Sequence, residues 1–194
     1  EHPATYEYLR GPLTDKLGPI TEVSSELKMV DLILRKGIFP SRRMRWCTDE
    51  LKMKPLAKHI STYADDVISA VGIRAAESEA RSKMAEWEYS PGLDCDVWRP
   101  LLTWSEADVI AIHKRHGLAP NPLYLSGAER VGCWPCVMSR KAEIRLVAES
   151  DPERIALIRD LESQLTERLT MRCLETGEAQ RWPELTFFQG SGSA

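Results

Sequence analysis

Three thiols carry most of the chemistry in this chain. Cys133 and Cys136 flank Trp134-Pro135 in Arg130-Val131-Gly132-Cys133-Trp134-Pro135-Cys136, and Cys47 stands alone in Arg45-Trp46-Cys47-Thr48. A C-x-x-C pair can turn both sulfurs toward one metal centre, and Gly132 and Pro135 suit the tight, irregular backbone of such a knuckle. A metal or redox site is therefore the first expectation, set against a loop that holds two unrelated thiols. Arg35, Lys36, Arg42, Arg43 and Arg45 gather close before Cys47. That stretch reads either as a local anion site or as a solvated basic turn.

The elements that must position these groups follow from periodicity. Leu27, Val30, Ile33 and Leu34 recur at helical spacing between Ser25 and Lys36, with Gly37 as the stop. Thr48 is placed to cap a helix with Asp49 and Glu50 in its first turn, running toward His59 and bent or divided at Pro55. Cys47 then lies beside a helix N-terminus and near Arg45, which predicts a thiol that ionises more readily than a free one. Asp66 to Ile73 is a short, mostly apolar run of the kind that forms a buried parallel strand, followed directly by the polar stretch Arg74 to Arg81. Ligands of open α/β sheets bind beyond the carboxyl ends of strands, where Arg74, Glu77, Ser78 and Arg81 would fall. Charged residues on an exposed helix start are the alternative for that group.

Further along, Trp87 to Cys95 reads as a loop turning at Pro91-Gly92. Ser105 and Asp108 form a capping pair for a helix that buries Val109, Ile110 and Ile112 and stops at Gly117. His113 and His116 on that helix read as surface residues rather than metal ligands. Asn121 to Tyr124 is irregular, and Lys141 to Glu149 is helical. Asp151 caps the strongest helix, with Pro152 in first position and a stripe of Ile155, Ile158, Leu161, Leu165 and Leu169. Cys173 continues that stripe as a small core residue. Phe187 to Ala194 has the composition of a flexible tail.

The 194 residues, 43% apolar and 28% charged, suit one domain with a full core. No apolar run approaches the ~20 residues that span a bilayer, so no membrane segment is expected. Five cysteines, odd in number and unevenly spaced, do not form a disulfide framework, which predicts a reducing cytoplasm. A net charge of −3 gives no global attraction to nucleic acid. The opening Glu1-His2-Pro3 has no initiating Met and no secretion signal, and reads as a chain entered midway.

Four separated segments resemble one family, the phosphoadenylyl-sulfate (PAPS) reductases of the adenine-nucleotide α-hydrolase-like, or PP-loop, superfamily. Glu1-His2-Pro3 resembles the segment after that family's second strand, and Arg45-Trp46-Cys47 with Lys52 its R-x-C-x-x-x-x-K element. Gly72-Ile73-Arg74 through Ser78 to Arg81 is similar to its G-I-R-x-x-x-S-x-x-R element, and Trp98-Arg99-Pro100-Leu101 with Trp104 to the element before its late helix. The resemblance spans roughly residues 1–150, and four ordered motifs are more specific than any one.

That resemblance implies an α/β fold with a doubly wound, mostly parallel sheet and a helical C-terminal part. Residues 1–150 would form the reductase-like domain, 151–186 a helical extension and 187–194 the tail. It implies adenylyl or sulfur transfer, with Arg45, Lys52, Arg74, Glu77, Ser78, Arg81 and Arg130 around adenosine phosphosulfate, PAPS or ATP. It implies a 4Fe–4S cluster on Cys47, Cys133 and Cys136, with Cys95 or Cys173 as fourth ligand; a structural zinc on the same cysteines is the alternative. An electron or sulfur donor protein is the implied partner. The family's S-G-G-x-D-S phosphate loop has no counterpart here, so either it lies upstream or the chain is an inactive nucleotide- or partner-binding remnant. Without the first strand, exposed sheet is expected to be covered by a further segment or a second copy. The C-terminal E-C-G-x-H motif of sulfate reduction is also without a counterpart, which points toward sulfur transfer of the phosphorothioation type.

Overall fold

The computed structural model describes residues 1–41, 43–63, 67–128, 131–180 and 184–188. It is a mixed α/β protein with many helices and one three-stranded sheet in the order β1-β3-β2. β1 is Ile68–Ala70, β2 Trp87–Ser90 and β3 Cys95–Trp98. β1 runs parallel to β3 with Ile68 opposite Asp96 and Ala70 opposite Trp98, whereas β2 is antiparallel to β3 with Trp87 opposite Trp98. The pairing continues past β1, where the Val71 amide donates to Trp98 O at 2.9 Å and the Ala75 amide to Leu102 O at 2.8 Å.

The hairpin β2–β3 corrects the expectation of a loop from Trp87 to Cys95. Trp87 and Tyr89 alternate with Glu88 and Ser90, the pattern of a pleated strand, and Pro91-Gly92 is only its turn. Asp94 closes that turn at φ 53°, with its amide 2.8 Å from Ser90 O and its carboxylate accepting from the Tyr89 hydroxyl. The opposed Trp87 and Trp98 rings stack at 5.4 Å.

Contacts divide the chain into two compact units that are not consecutive in sequence. One comprises 1–6, 26–51 and 121–194, and the other 7–25 and 52–120.

The first unit is organised around Ile33, Phe39, Val137, Ile158, Leu161, Leu165 and Phe187. The helix Met29–Lys36 brings Ile33 to this core and ends, as expected, at Gly37 with φ 68°, a left-handed conformation that costs glycine nothing. Asp151 caps the helix Pro152–Thr176, its side chain accepting the Arg154 amide, and the expected stripe supplies buried Ile158, Leu161 and Leu165. Phe187 corrects the expected tail. It is 4% exposed, meets Phe39 edge to face at 5.5 Å, and donates its amide to Glu162 Oε1 at 2.8 Å. Residues 189–194 of that tail lie outside the described residues. Asn121 to Tyr124, expected as irregular, begins a short helix, Pro122–Leu125, capped by the Asn121 side chain. Asn121 also bonds Thr5 at 3.3 Å, fastening the first residues of the chain to this unit.

The second unit holds the sheet. Cys95 and Val97 turn one face of β3 onto a core with Leu93, Met53, Leu56, Ala57 and Ile60. On the opposite face Ile68, Trp87 and Tyr89 remain 54%, 50% and 56% exposed. The capping pair Ser105–Asp108 starts the helix Glu106–Arg115 as expected, yet Ile110 is exposed rather than buried. His113 bonds the Val109 carbonyl at 2.8 Å, the geometry of a helix-surface histidine. No helix among the described residues is long and apolar enough to cross a membrane.

Candidate functional site

The three thiols of the motif analysis share the first unit, and one core draws them together. Trp46, immediately before Cys47, packs against the cluster that buries Val137, immediately after Cys136. Cys47 is half-buried, Cys136 likewise, and Cys133 is exposed. The Cys136 sulfur accepts the Met138 amide at 3.5 Å, an N–H···S contact typical of a ligand knuckle. On the other side of the loop, Trp134 meets His2 edge to face at 4.8 Å and donates its indole N–H to Asp151 Oδ2 at 3.2 Å.

The proton affinity of Cys47 responds to its burial and to the other two thiols. Burial pushes its thiol pKa up, and the neighbouring Cys133 and then Cys136 raise it further. Hydrogen bonds from Thr48 pull the other way, the side-chain one by more than Cys136 adds, but burial prevails. This overturns the expectation of an easily ionised Cys47. The helical turn there is Trp46–Thr48, so Thr48 is inside it rather than capping a later helix, and the desolvating core outweighs the terminus. Helical backbone runs on unbroken through a π-helical stretch, Asp49–Met53, into the helix Lys54–Ile60, whose first turn accommodates Pro55.

Three thiols are a soft donor set that suits an iron–sulfur group or a zinc ion. Among the described residues, no group of three or more His, Cys, Asp or Glu side chains is spaced to hold a metal ion. The Trp46 indole N–H, next in the chain to Cys47, is buried without an acceptor, an orphan donor of the kind cluster sulfurs take up. Cys95 is 6% exposed in the core of the second unit, and Cys173 is half-buried near the end of the helix Pro152–Thr176.

The residues of the second unit expected to meet an anion lie past the carboxyl end of β1, beside the segment that follows β3. Arg74 leaves β1 just before a 3-10 turn, Ala75–Glu77, and Ser78 caps the short helix Glu79–Ser82 by accepting the Arg81 amide at 3.3 Å. Glu77 ties the two arginines together. Its Oε1 is 3.6 Å from Arg74 Nε, and its Oε2 pairs with the Arg81 guanidinium. Lys52 is exposed in this unit, and Arg45 is exposed in the first. Arg130 and Arg42 lie outside the described residues. Within the basic stretch, Lys36 pairs with Glu50 at 3.3 Å and lies 5.5 Å from the centre of the Trp46 ring, which gives it a structural partner.

Arg99 was missed as an individual residue although its motif was noted. Its side chain is 6% exposed, Nη1 donates to Ala85 O at 2.7 Å, and Nη2 pairs with Glu88 Oε1 at 2.6 Å. It clamps the segment before β2 onto the end of β3. A charged residue directly after a strand with alternating burial was the available signal.

Parallel strands whose carboxyl ends carry an arginine-bearing turn define an α/β domain of the kind that binds ligands at that edge. The phosphoadenosine phosphosulfate reductase domain matches residues 1–139, and the chain belongs to that family. A 37.8 kDa protein from the gpa 5′ region of Escherichia phage 186 is 41% identical over 162 residues, 79% of this chain and 46% of that protein. The adenosine 5′-phosphosulfate reductase of Allochromatium vinosum is 33% identical over 116 residues, 56% of this chain and 43% of that enzyme. The enzyme of the same name from Neisseria meningitidis serogroup A is 34% identical over 98 residues, 50% of this chain and 39% of that enzyme. The chain thus spans less than half the length of these relatives.

Proposed function

We propose that this chain is the nucleotide-handling part of an enzyme that acts on a sulfated or activated adenosine nucleotide. Arg74, Ser78 and Arg81, with Lys52 of the same unit, hold the anionic groups of adenosine phosphosulfate, PAPS or ATP. The observation that carries this reading is the Arg74–Arg81 pair past the carboxyl end of β1, because guanidinium forks bind sulfate and phosphate through paired, charge-assisted hydrogen bonds. Relatives named adenosine 5′-phosphosulfate reductase support the same substrate class. The doubly wound, mostly parallel sheet of the adenine-nucleotide α-hydrolase-like fold is proposed for the whole protein, with the exposed Ile68 and Trp87 face covered there.

Cys47, Cys133 and Cys136 hold a 4Fe–4S cluster in this reading, with the Met138 amide and the Trp46 indole as donors to sulfur. Such a group supplies electron transfer or sulfur handling.

The full-length gene product, purified without oxygen, decides both parts. Brown protein with stoichiometric iron and sulfide is expected, with loss of iron in Cys136→Ser; a colourless protein carrying zinc overturns the cluster. Release of sulfite with AMP from adenosine phosphosulfate, of sulfite with adenosine 3′,5′-bisphosphate from PAPS, or of AMP and pyrophosphate from ATP is expected, with a dithiol protein as two-electron reductant where sulfite is formed. Failure with all three nucleotides favours a binding remnant.

A further inference from the structure

Glu77 occupies the place an anion would take. Arg74 Nε lies 3.6 Å from its Oε1, the Arg81 guanidinium pairs with its Oε2, and the Arg74 backbone amide points at Oε2 from 3.5 Å. Two guanidiniums and a backbone N–H converging on two oxygens is the donor set that recognises sulfate or phosphate. The backbone fixes this arrangement: the turn Ala75–Glu77 folds the carboxylate back toward Arg74, and the Ser78 cap orients Arg81. The trio is open to solvent, with side-chain exposures of 23% for Arg74, 29% for Glu77 and 42% for Arg81.

We propose that Glu77 is a built-in competitor, a carboxylate that fills the Arg74–Arg81 pair until the anionic group of a nucleotide displaces it, and so keeps free inorganic sulfate and phosphate out. The proposal rests on the nucleotide reading above and gives Glu77 a role opposite to that of a ligand contact. An inorganic oxyanion can only exchange with Glu77, contact for contact, and gains little. A nucleotide replaces the same contacts and adds those of its base and ribose, so it alone wins at low concentration. Charge supports the same conclusion: with Glu77 the trio carries one net positive charge, and without it two, which any small dianion would exploit.

Titration calorimetry of the full-length protein with inorganic sulfate and with AMP, at fixed ionic strength, tests this. Glu77→Gln is expected to bind sulfate about two- to fivefold tighter than the parent. Glu77→Asp, which keeps the charge but cannot span both guanidiniums, falls between the two and remains measurable should the Gln variant misfold. Arg81→Met weakens both ligands. Sulfate affinity that stays level or drops in the Glu77 variants overturns the competitor and leaves Glu77 a brace. Unchanged sulfate and AMP affinity in Arg81→Met instead overturns the nucleotide reading itself.

Discussion

Trp134 and Asp151 are joined by an indole N–H···Oδ2 hydrogen bond of 3.2 Å, while the other oxygen of that carboxylate takes the Arg154 amide at 3.1 Å. One side chain therefore caps the longest helix and anchors the loop between Cys133 and Cys136. Asp151→Ala is expected to cost about 2 kcal/mol, the sum of a lost cap and a lost buried donor, read as a shifted urea midpoint. Asp151→Asn, still able to cap, keeps about half of that. Iron content should fall with the Ala variant, and an unchanged midpoint would contradict the anchoring role.

At Arg99 the conservative replacement is the worse one. Arg99→Met loses the bond to Ala85 O and releases Glu88, which is 46% exposed and rehydrates, for about 1–2 kcal/mol. Arg99→Lys keeps a buried charge yet cannot reach both Ala85 O and Glu88, so it should be less stable still. Chemical denaturation of the two variants side by side gives the order.

Phe187→Ala empties a site in the first unit's core and should cost about 3–4 kcal/mol. A variant as stable as the parent would show that the C-terminal segment is not part of that core.

Asp108 links stability to acid. Hydrogen bonds from the Ser105 hydroxyl and amide hold its carboxyl below its ordinary 3.8. A group depressed in the fold stabilises fully above its unfolded value and loses that contribution as pH falls through the folded one. The helix Glu106–Arg115 should therefore weaken only below about pH 3.8, and Asp108→Asn should flatten that part of the curve followed by circular dichroism.

Local signals were legible in the sequence because their physics is local. Gly37 ends its helix through its own backbone freedom, Ser105 and Asp108 cap through a three-residue bond, and Asp151 with Pro152 marks a helix start without reference to anything distant. The Arg74 to Arg81 turn was placed after a strand for the same reason. What escaped depends on packing between remote segments. Pro91-Gly92 drew attention to a loop and away from the alternation of Trp87 and Tyr89 around it. The tail composition hid Phe187, whose burial needs Phe39 and the helix carrying Glu162. Cys47 looked acidic from its neighbours in sequence, but burial, with Cys133 and Cys136, raises its proton affinity, and those two thiols lie more than eighty residues further along the chain.

Interleaving of the two compact units has a consequence for how the polypeptide is built. The backbone passes from one to the other at residues 6–7, 25–26, 51–52 and 120–121, so neither is a contiguous stretch that a single cut would liberate. During synthesis the portion holding Cys47 cannot mature until residues past 121 have emerged, and loop closure over those separations is paid before any core contact rewards it. Assembly of the thiol trio thereby waits on residues as distant as Leu165 and Phe187, which complete the core beneath it.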